Sequence, residues 1–122
     1  MIDVHTHIIP NIDDGSKSVE ETFNLISEAE EAGFTDIILT PHYITNYYET
    51  TGAEVRLLTE TLQKIANEKN LEIKLHSGME IYISEELCDL AKAGTVITLA
   101  NSKYMLIEFP MNTTMRNVNE IL

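Results

Sequence analysis

Apolar positions recur along this chain with two alternating periods, one close to 2 and one close to 3.6, and the alternation predicts strands separated by helices. The run Met1-Ile-Asp-Val-His-Thr-His-Ile-Ile-Pro10 reads as a first strand, and Asn11-Ile-Asp-Asp-Gly15 as the turn that follows it. Ser18-Val-Glu-Glu21 has the N-cap serine and third-position glutamate of a capping box, so a helix is predicted from about Val19 to Ala32. Val19, Phe23, Ile26 and Ala29 follow helical spacing, Leu25 and Ala32 broaden the apolar face, and Gly33 is placed as a C-terminal stop.

Thr35-Asp-Ile-Ile-Leu-Thr40, closed by Pro41, fits a strand buried on both faces. Tyr43 to Thr51 is an aromatic and polar loop. Ala53 to Lys69 carries Val55, Leu58, Leu62, Ile65 and Ala66 on one face, which predicts a second helix. Leu71 to Leu75 is a third strand, His76 to Ile81 a loop, and Glu85 to Ala93 a third helix ending at Gly94. Thr95 to Leu99 is apolar and of either type, Lys103 to Phe109 is a fourth strand stopped by Pro110, and Met115 to Leu122 opens a further helix. Strands alternating with helices imply right-handed βαβ units around a parallel sheet, an α/β fold in a single domain.

At 122 residues the chain is well short of the roughly 250 usual for a closed (β/α)8 barrel. Its 43% hydrophobic and 23% charged residues are those of an ordinary globular protein. Twenty acidic residues against 8 basic give a formal charge of -12, which repels nucleic acid at long range and which bound divalent cations offset. No apolar run reaches membrane-spanning length and no basic-then-apolar leader is present, so neither membrane insertion nor secretion is signalled and a cytoplasmic protein is expected. Cys88 is the single cysteine. It fails as the nucleophile of a cysteine-dependent tyrosine phosphatase, because Gly94 stands six residues on, where that class needs a phosphate-binding arginine. Among Leu87, Leu90 and Ala91 it reads as core.

Candidate chemistry gathers at the strand ends. His5 and His7 end the first strand, where alternate side chains share a face and both rings can converge on one ion. His42 follows the second strand, Glu80 the third, and Glu108 lies late in the fourth, while Asp14 in the first βα loop reaches the same face. The C-terminal rim is where parallel α/β barrels collect their active sites. Nitrogen and carboxylate donors without thiolate favour zinc, manganese or iron, and several carboxylates beside imidazoles permit more than one ion. Taken singly, a His or Glu at a strand end is more often a surface group than a ligand; the joint placement at four strand ends is what carries weight. Asp13 reads as a turn residue, Asp3 as a support behind a ligand histidine, and His76 as a loop histidine. Tyr43, Tyr47 and Tyr48 either wall a pocket for an aromatic substrate or cover the rim. The acidic positions from Glu20 to Glu31 form a solvated helix face, and no Gly-rich phosphate loop is present.

These motifs, with Thr40-Pro-His42, Gly78-Met-Glu-Ile81 and Leu106-Ile-Glu-Phe-Pro110, occur in order across nearly the whole chain. Together they resemble the polymerase and histidinol phosphatase (PHP) hydrolases, and within them the bacterial capsule-associated, manganese-dependent tyrosine phosphatases. The resemblance implies the N-terminal part of a distorted (β/α)7 TIM-like barrel, parallel strands with the active site at their C-terminal ends, and a metal site of up to three divalent ions. It makes His5, His7, Asp14, His42, Glu80 and Glu108 the ligands, with Glu80 bridging two ions, and manganese the expected metal, with iron and zinc as alternatives. The implied reaction is metal-assisted hydrolysis of phosphotyrosine on the tail of a kinase that controls capsular or exopolysaccharide synthesis, with no covalent enzyme intermediate.

A further histidine, an Asp-x-His motif and phosphate-contacting arginines mark the family's second half; none of these is found here, and Arg56, Arg116, Lys92 and Lys103 do not correspond to those arginines. Residues 1–122 are therefore expected to form a single incomplete PHP barrel domain, a truncated form. The competing readings are a catalytically incomplete metal-binding half-barrel that self-associates through its open sheet edges, and another PHP phosphoesterase. A nucleic-acid-processing domain is disfavoured by the acidic balance.

Overall fold

Ser18 begins the first helix as its spacing predicts. Its backbone is extended and its Oγ accepts the N–H of Glu21 at 3.0 Å, opening α1 (Val19–Glu31). The box is not reciprocal, since the Glu21 carboxylate accepts the N–H of Lys17 at 3.1 Å. In this computed structural model, which describes residues 1–110, the helix ends at Gly33 with φ +99°, a conformation that favours glycine. The helix expected over Met115 to Leu122, and Arg116 within it, lie outside the described residues.

The buried stripe of α1 is Thr22, Phe23 and Ile26, whereas Leu25 and Ala32 are exposed. The expected broadening of the face is thus corrected: at about 100° per residue, Leu25 falls to one side of the stripe centred between Thr22 and Phe23. Thr22 enters the core because its hydroxyl donates to the Ile8 carbonyl at 2.6 Å. The second helix, α2 (Gly52–Glu68), is opened by a complete capping box between Thr51 and Glu54 and buries Val55, Thr59, Leu62 and Ala66. The third, α3 (Leu87–Lys92), turns Leu87 inward and leaves Cys88 exposed, which corrects its reading as core. One residue off the Leu87–Leu90–Ala91 face is enough to point it to solvent.

The strands are shorter and more numerous than the apolar runs suggest. They are β1 (Ile2–Asp3), β2 (Asp36–Leu39), β3 (His42–Tyr43), β4 (Lys74–Ser77), β5 (Glu80–Tyr82) and β6 (Leu106–Glu108). All pair in parallel, as β1-β2-β4 and β3-β5-β6. Two expected loops therefore contain strands. After β2 the chain breaks ladder at Thr40-Pro41 and resumes as β3; after β4 it breaks at Gly78-Met79 and resumes as β5. Across the breaks the 36–43 run stays opposite the 74–82 run in one register, while β1 pairs only before them and β6 only after, so four runs follow one another in sequence order across two short sheets. Leu71 to Ile73 lie before the ladder, and Gln63 of α2 covers the outer edge of β4, accepting the Leu75 N–H at 2.7 Å and donating to the Ile73 carbonyl at 3.2 Å. Likewise Thr95 to Leu99 forms no strand, but packs Val96 and Ile97 into the core before a 3-10 turn, Leu99–Asn101.

One core lies between the sheets and helices, with Ile9, Ile26, Ile37, Leu39, Met79 and Ile81 at most 2% exposed. Among the described residues, no helix is long and apolar enough to cross a membrane.

Candidate metal centre

Between β1 and the first loop the chain has left its ladder before His5, so the two histidines are not held by strand pairing as expected. Thr6, between them, does that work. Its N–H donates to Thr40 Oγ1 at 2.8 Å, its hydroxyl to the Ile38 carbonyl at 2.9 Å, and its carbonyl accepts the Thr40 N–H at 2.9 Å. With Thr6 tied down, His5 and His7 both project the other way, and their Nε2 atoms stand 3.1 Å apart. Asp3 accepts the His5 N–H at 3.2 Å, so it supports that histidine through the backbone and not through the ring. Thr40 is fully buried. Thr40→Val is expected to cost about 1–3 kcal/mol by stranding the Thr6 N–H, read by denaturant unfolding, with weaker metal uptake as the histidine pair loosens.

Glu80 is the hub. It opens β5, is 9% exposed, and its Oε2 lies 2.9 Å from both His5 Nε2 and His7 Nε2. The β3–β5 register sets His42 directly beside it, with Nδ1 3.5 Å from the same oxygen. Glu108, ending β6, places Oε2 3.4 Å from His42 Nδ1. On the other side, Asp14 Oδ1 is 3.3 Å from His42 Nε2. The rings of His7 and His42 stack at 4.3 Å, 13° from parallel. All six residues singled out from the sequence thus converge.

The loop that carries Asp14 is pressed against His7. A Cβ on Gly15 would lie 2.0 Å from the His7 carbonyl oxygen, which explains the glycine, and the Ser16 N–H donates to that oxygen at 3.0 Å. This closure brings in Asp13, which the sequence assigns only to a turn. Its Oδ1 does form the turn, accepting the Gly15 N–H at 2.9 Å, but its Oδ2 accepts the His42 N–H at 2.9 Å and lies 3.5 Å from His7 Nδ1. No sequence signal separates Asp13 from Asp14, two like residues side by side. Thr6 and Thr40 were equally silent, as β-branched residues at a strand end. His76, in contrast, points away and pairs with Asp36 at 2.8 Å. Tyr43 is buried and Tyr47 is 80% exposed, while Tyr48 stacks on the His42 ring at 6.0 Å.

Burial pushes the Asp13 carboxyl up, but hydrogen bonds from His7, the His42 N–H and the Gly15 N–H outweigh it and hold the group at about 2, below its ordinary 3.8. The hydrogen bond to Asp13 raises His7 above 6.5, with burial opposing. A depressed carboxylate stabilises the fold above its unfolded value, and a raised imidazole does so below its own. The metal-free chain is therefore expected to lose stability as pH falls from 3.8 towards 2, and again as pH rises from 6.5 through the raised value of His7. Melting temperatures across that range check both limbs.

The donor set fits divalent metal ions. His42 Nδ1 and Glu108 Oε2 are buried, face each other, and neither has a hydrogen-bond partner; buried polar atoms are rarely left so. Among the described residues, three groups of donors lie close enough to hold an ion: His5, His7 and Glu80; His42, Glu80 and Glu108; and His7, Asp13, Asp14 and His42.

The family model described as capsular polysaccharide synthesis, CpsB/CapC, matches residues 1–122. The tyrosine-protein phosphatase YwqE of Bacillus subtilis is 34% identical over 122 residues, 99% of this chain and 48% of its own length. The tyrosine-protein phosphatase CpsB of Streptococcus pneumoniae is 33% identical over 119 residues, 98% of this chain and 49% of its own. A solved structure from crystallographic work on these two proteins, described as unique metal-dependent tyrosine phosphatases, superposes with a TM-score of 0.92 at 30% identity, over 99% of this chain and 49% of that one. The chain spans about half the length of the curated relatives it matches.

Proposed function

The chain belongs to the CpsB/CapC family of capsular polysaccharide synthesis proteins, and from that premise we propose that its metal centre serves hydrolysis of phosphotyrosine on a bacterial tyrosine kinase regulating capsular or exopolysaccharide synthesis. On this reading residues 1–122 are a single domain, the N-terminal part of a distorted (β/α)7 TIM-like barrel that acts in the cytoplasm. The single observation that carries it is the position of Glu80, whose one oxygen is within 2.9 Å of two histidine nitrogens and 3.5 Å of a third.

His5, His7, Asp14, His42, Glu80 and Glu108 are the proposed ligands, Glu80 belonging to two of the donor groups that would hold ions, and manganese is the expected metal. Bound divalent ions supply Lewis acidity towards water and the phosphate oxygens. The chain's own part is positional: Thr6 and Thr40 fix the histidine pair, the β3–β5 register fixes His42 against Glu80, and the buried carboxylates neutralise cationic charge. Tyr48, stacked on the His42 ring, offers an aromatic surface beside the centre.

Phosphate release from a phosphotyrosyl peptide with manganese, measured on this chain and on the longest natural chain containing it, is the test. Activity of the longer chain with manganese is expected; its inactivity with every divalent metal overturns the reading. Self-association is favoured by a separate observation. Among the described residues β1 and β6 each pair with one strand, and Ile2, Val4, Tyr104 and Phe109 near those edges are 45–66% exposed. Light scattering that shows a monomer at all concentrations excludes it.

A further inference from the structure

Of the three tyrosines that follow β2, Tyr43 is 4% exposed and packs in the core, while Tyr47 is 80% exposed and, among the described residues, stacks on no ring. Tyr48 differs from both. It is half-buried, and its ring lies 6.0 Å from the His42 ring and 24° from parallel, inside the roughly 4.5–7 Å range of aromatic pairs. It therefore ends a column of three rings, His7, His42 and Tyr48. We propose that Tyr48 is a specificity-determining residue, the aromatic face against which the aryl group of a phosphate monoester packs while the metal centre holds the phosphate.

The donors of the centre cannot make this choice. Imidazoles and carboxylates that hold ions treat the phosphate of every monoester alike, so discrimination falls to whatever touches the organic group. An aliphatic group gains little from a ring face, whereas an aryl group gains an offset or edge-to-face pair. So small a gain is cancelled by the entropy of ordering a loose loop, but here the backbone under the ring is ordered beforehand. The Ile44 carbonyl accepts the N–H of Tyr47 at 2.8 Å and of Tyr48 at 2.9 Å, and the Ile44 N–H donates to the Tyr48 carbonyl at 2.8 Å. Asn46 takes φ +73°, a left-handed conformation that asparagine tolerates, and its N–H donates to the Glu49 carboxylate at 2.9 Å. This closed turn follows directly on β3, so one short segment fixes both His42 and the aromatic face.

This role rests on the phosphotyrosine reading of the centre, and a binding measurement separates the two. Phenylphosphonate and methylphosphonate, whose carbon–phosphorus bonds are not hydrolysed, are titrated by calorimetry into the longest natural chain containing these residues, loaded with manganese. Wild type is expected to bind phenylphosphonate more tightly. Tyr48→Leu, which keeps an apolar side chain without the ring, is expected to cut that preference roughly two- to tenfold, the worth of one aromatic pair, and Tyr48→Phe to keep it. A wild type that binds both alike, or neither, overturns the proposal whether or not the variants fold. A Tyr48→Leu chain with an unchanged preference overturns it too, and so does one that loses both ligands equally, since Tyr48 then only supports the His42 ring. A Tyr48→Phe chain that behaves as Tyr48→Leu assigns the effect to the hydroxyl and likewise overturns it. An aryl preference that depends on the ring, in a chain that releases no phosphate from a phosphotyrosyl peptide, supports the role of Tyr48 and counts against the phosphatase reading alone.

Discussion

Glu80→Gln is expected to reduce divalent-metal affinity by roughly a hundredfold or more, since even groups that merely orient metal ligands are worth 10–100-fold. Two of the three donor groups contain Glu80, and its Oε2 is the atom nearest to both His5 and His7. Glutamine keeps the volume and one oxygen, so packing around the 9%-exposed side chain is preserved. What is lost is the negative charge opposite three imidazoles. Titration calorimetry with manganese checks this, with the exposed Glu68→Gln on α2 as control. Equal affinities for wild type and Glu80→Gln would remove Glu80 from the centre, and with it the strongest support for a multinuclear site.

Leu39→Ala is expected to be the most damaging single truncation for the fold, at about 2–5 kcal/mol. Leu39 is 0% exposed at the end of β2, and the chain turns from it through Thr40 and Pro41 into His42. Shortening it opens a cavity where the β2–β4 ladder stops, just before His42, so the loss should extend to the centre. A fall in melting temperature on the order of 10 °C or more is expected. Leu25→Ala on α1, at 39% exposure, is expected to change stability by no more than about 0.5 kcal/mol. Similar losses at the two leucines would show that the buried stripe of α1 is misplaced.

The sequence was most informative where one local rule decides the outcome. Ser18 and Gly33 set the ends of α1 through a cap and a left-handed stop, and Val55, Leu62 and Ala66 marked the buried face of α2. The strand runs were legible but their bounds were not, because an apolar run does not say which residues its neighbour pairs with. Ile73 is as buried and β-branched as Ile37, yet it stands outside the ladder, which begins only at the Lys74–Asp36 pair. Cys88 was misread for a related reason, since a short helix can rotate one residue either way on the same composition.

By itself the sequence determined the residue types of the centre and their recurrence at strand ends, since these follow from local spacing and donor chemistry. Only the tertiary structure decided that residues 75 apart, His5 and Glu80, meet at 2.9 Å. It alone separated the buried Asp13 from the exposed Asp14 beside it. Convergence depends on ladder register and on loops closing over a shared core. Those are relations between distant segments, and no local pattern in the chain records them.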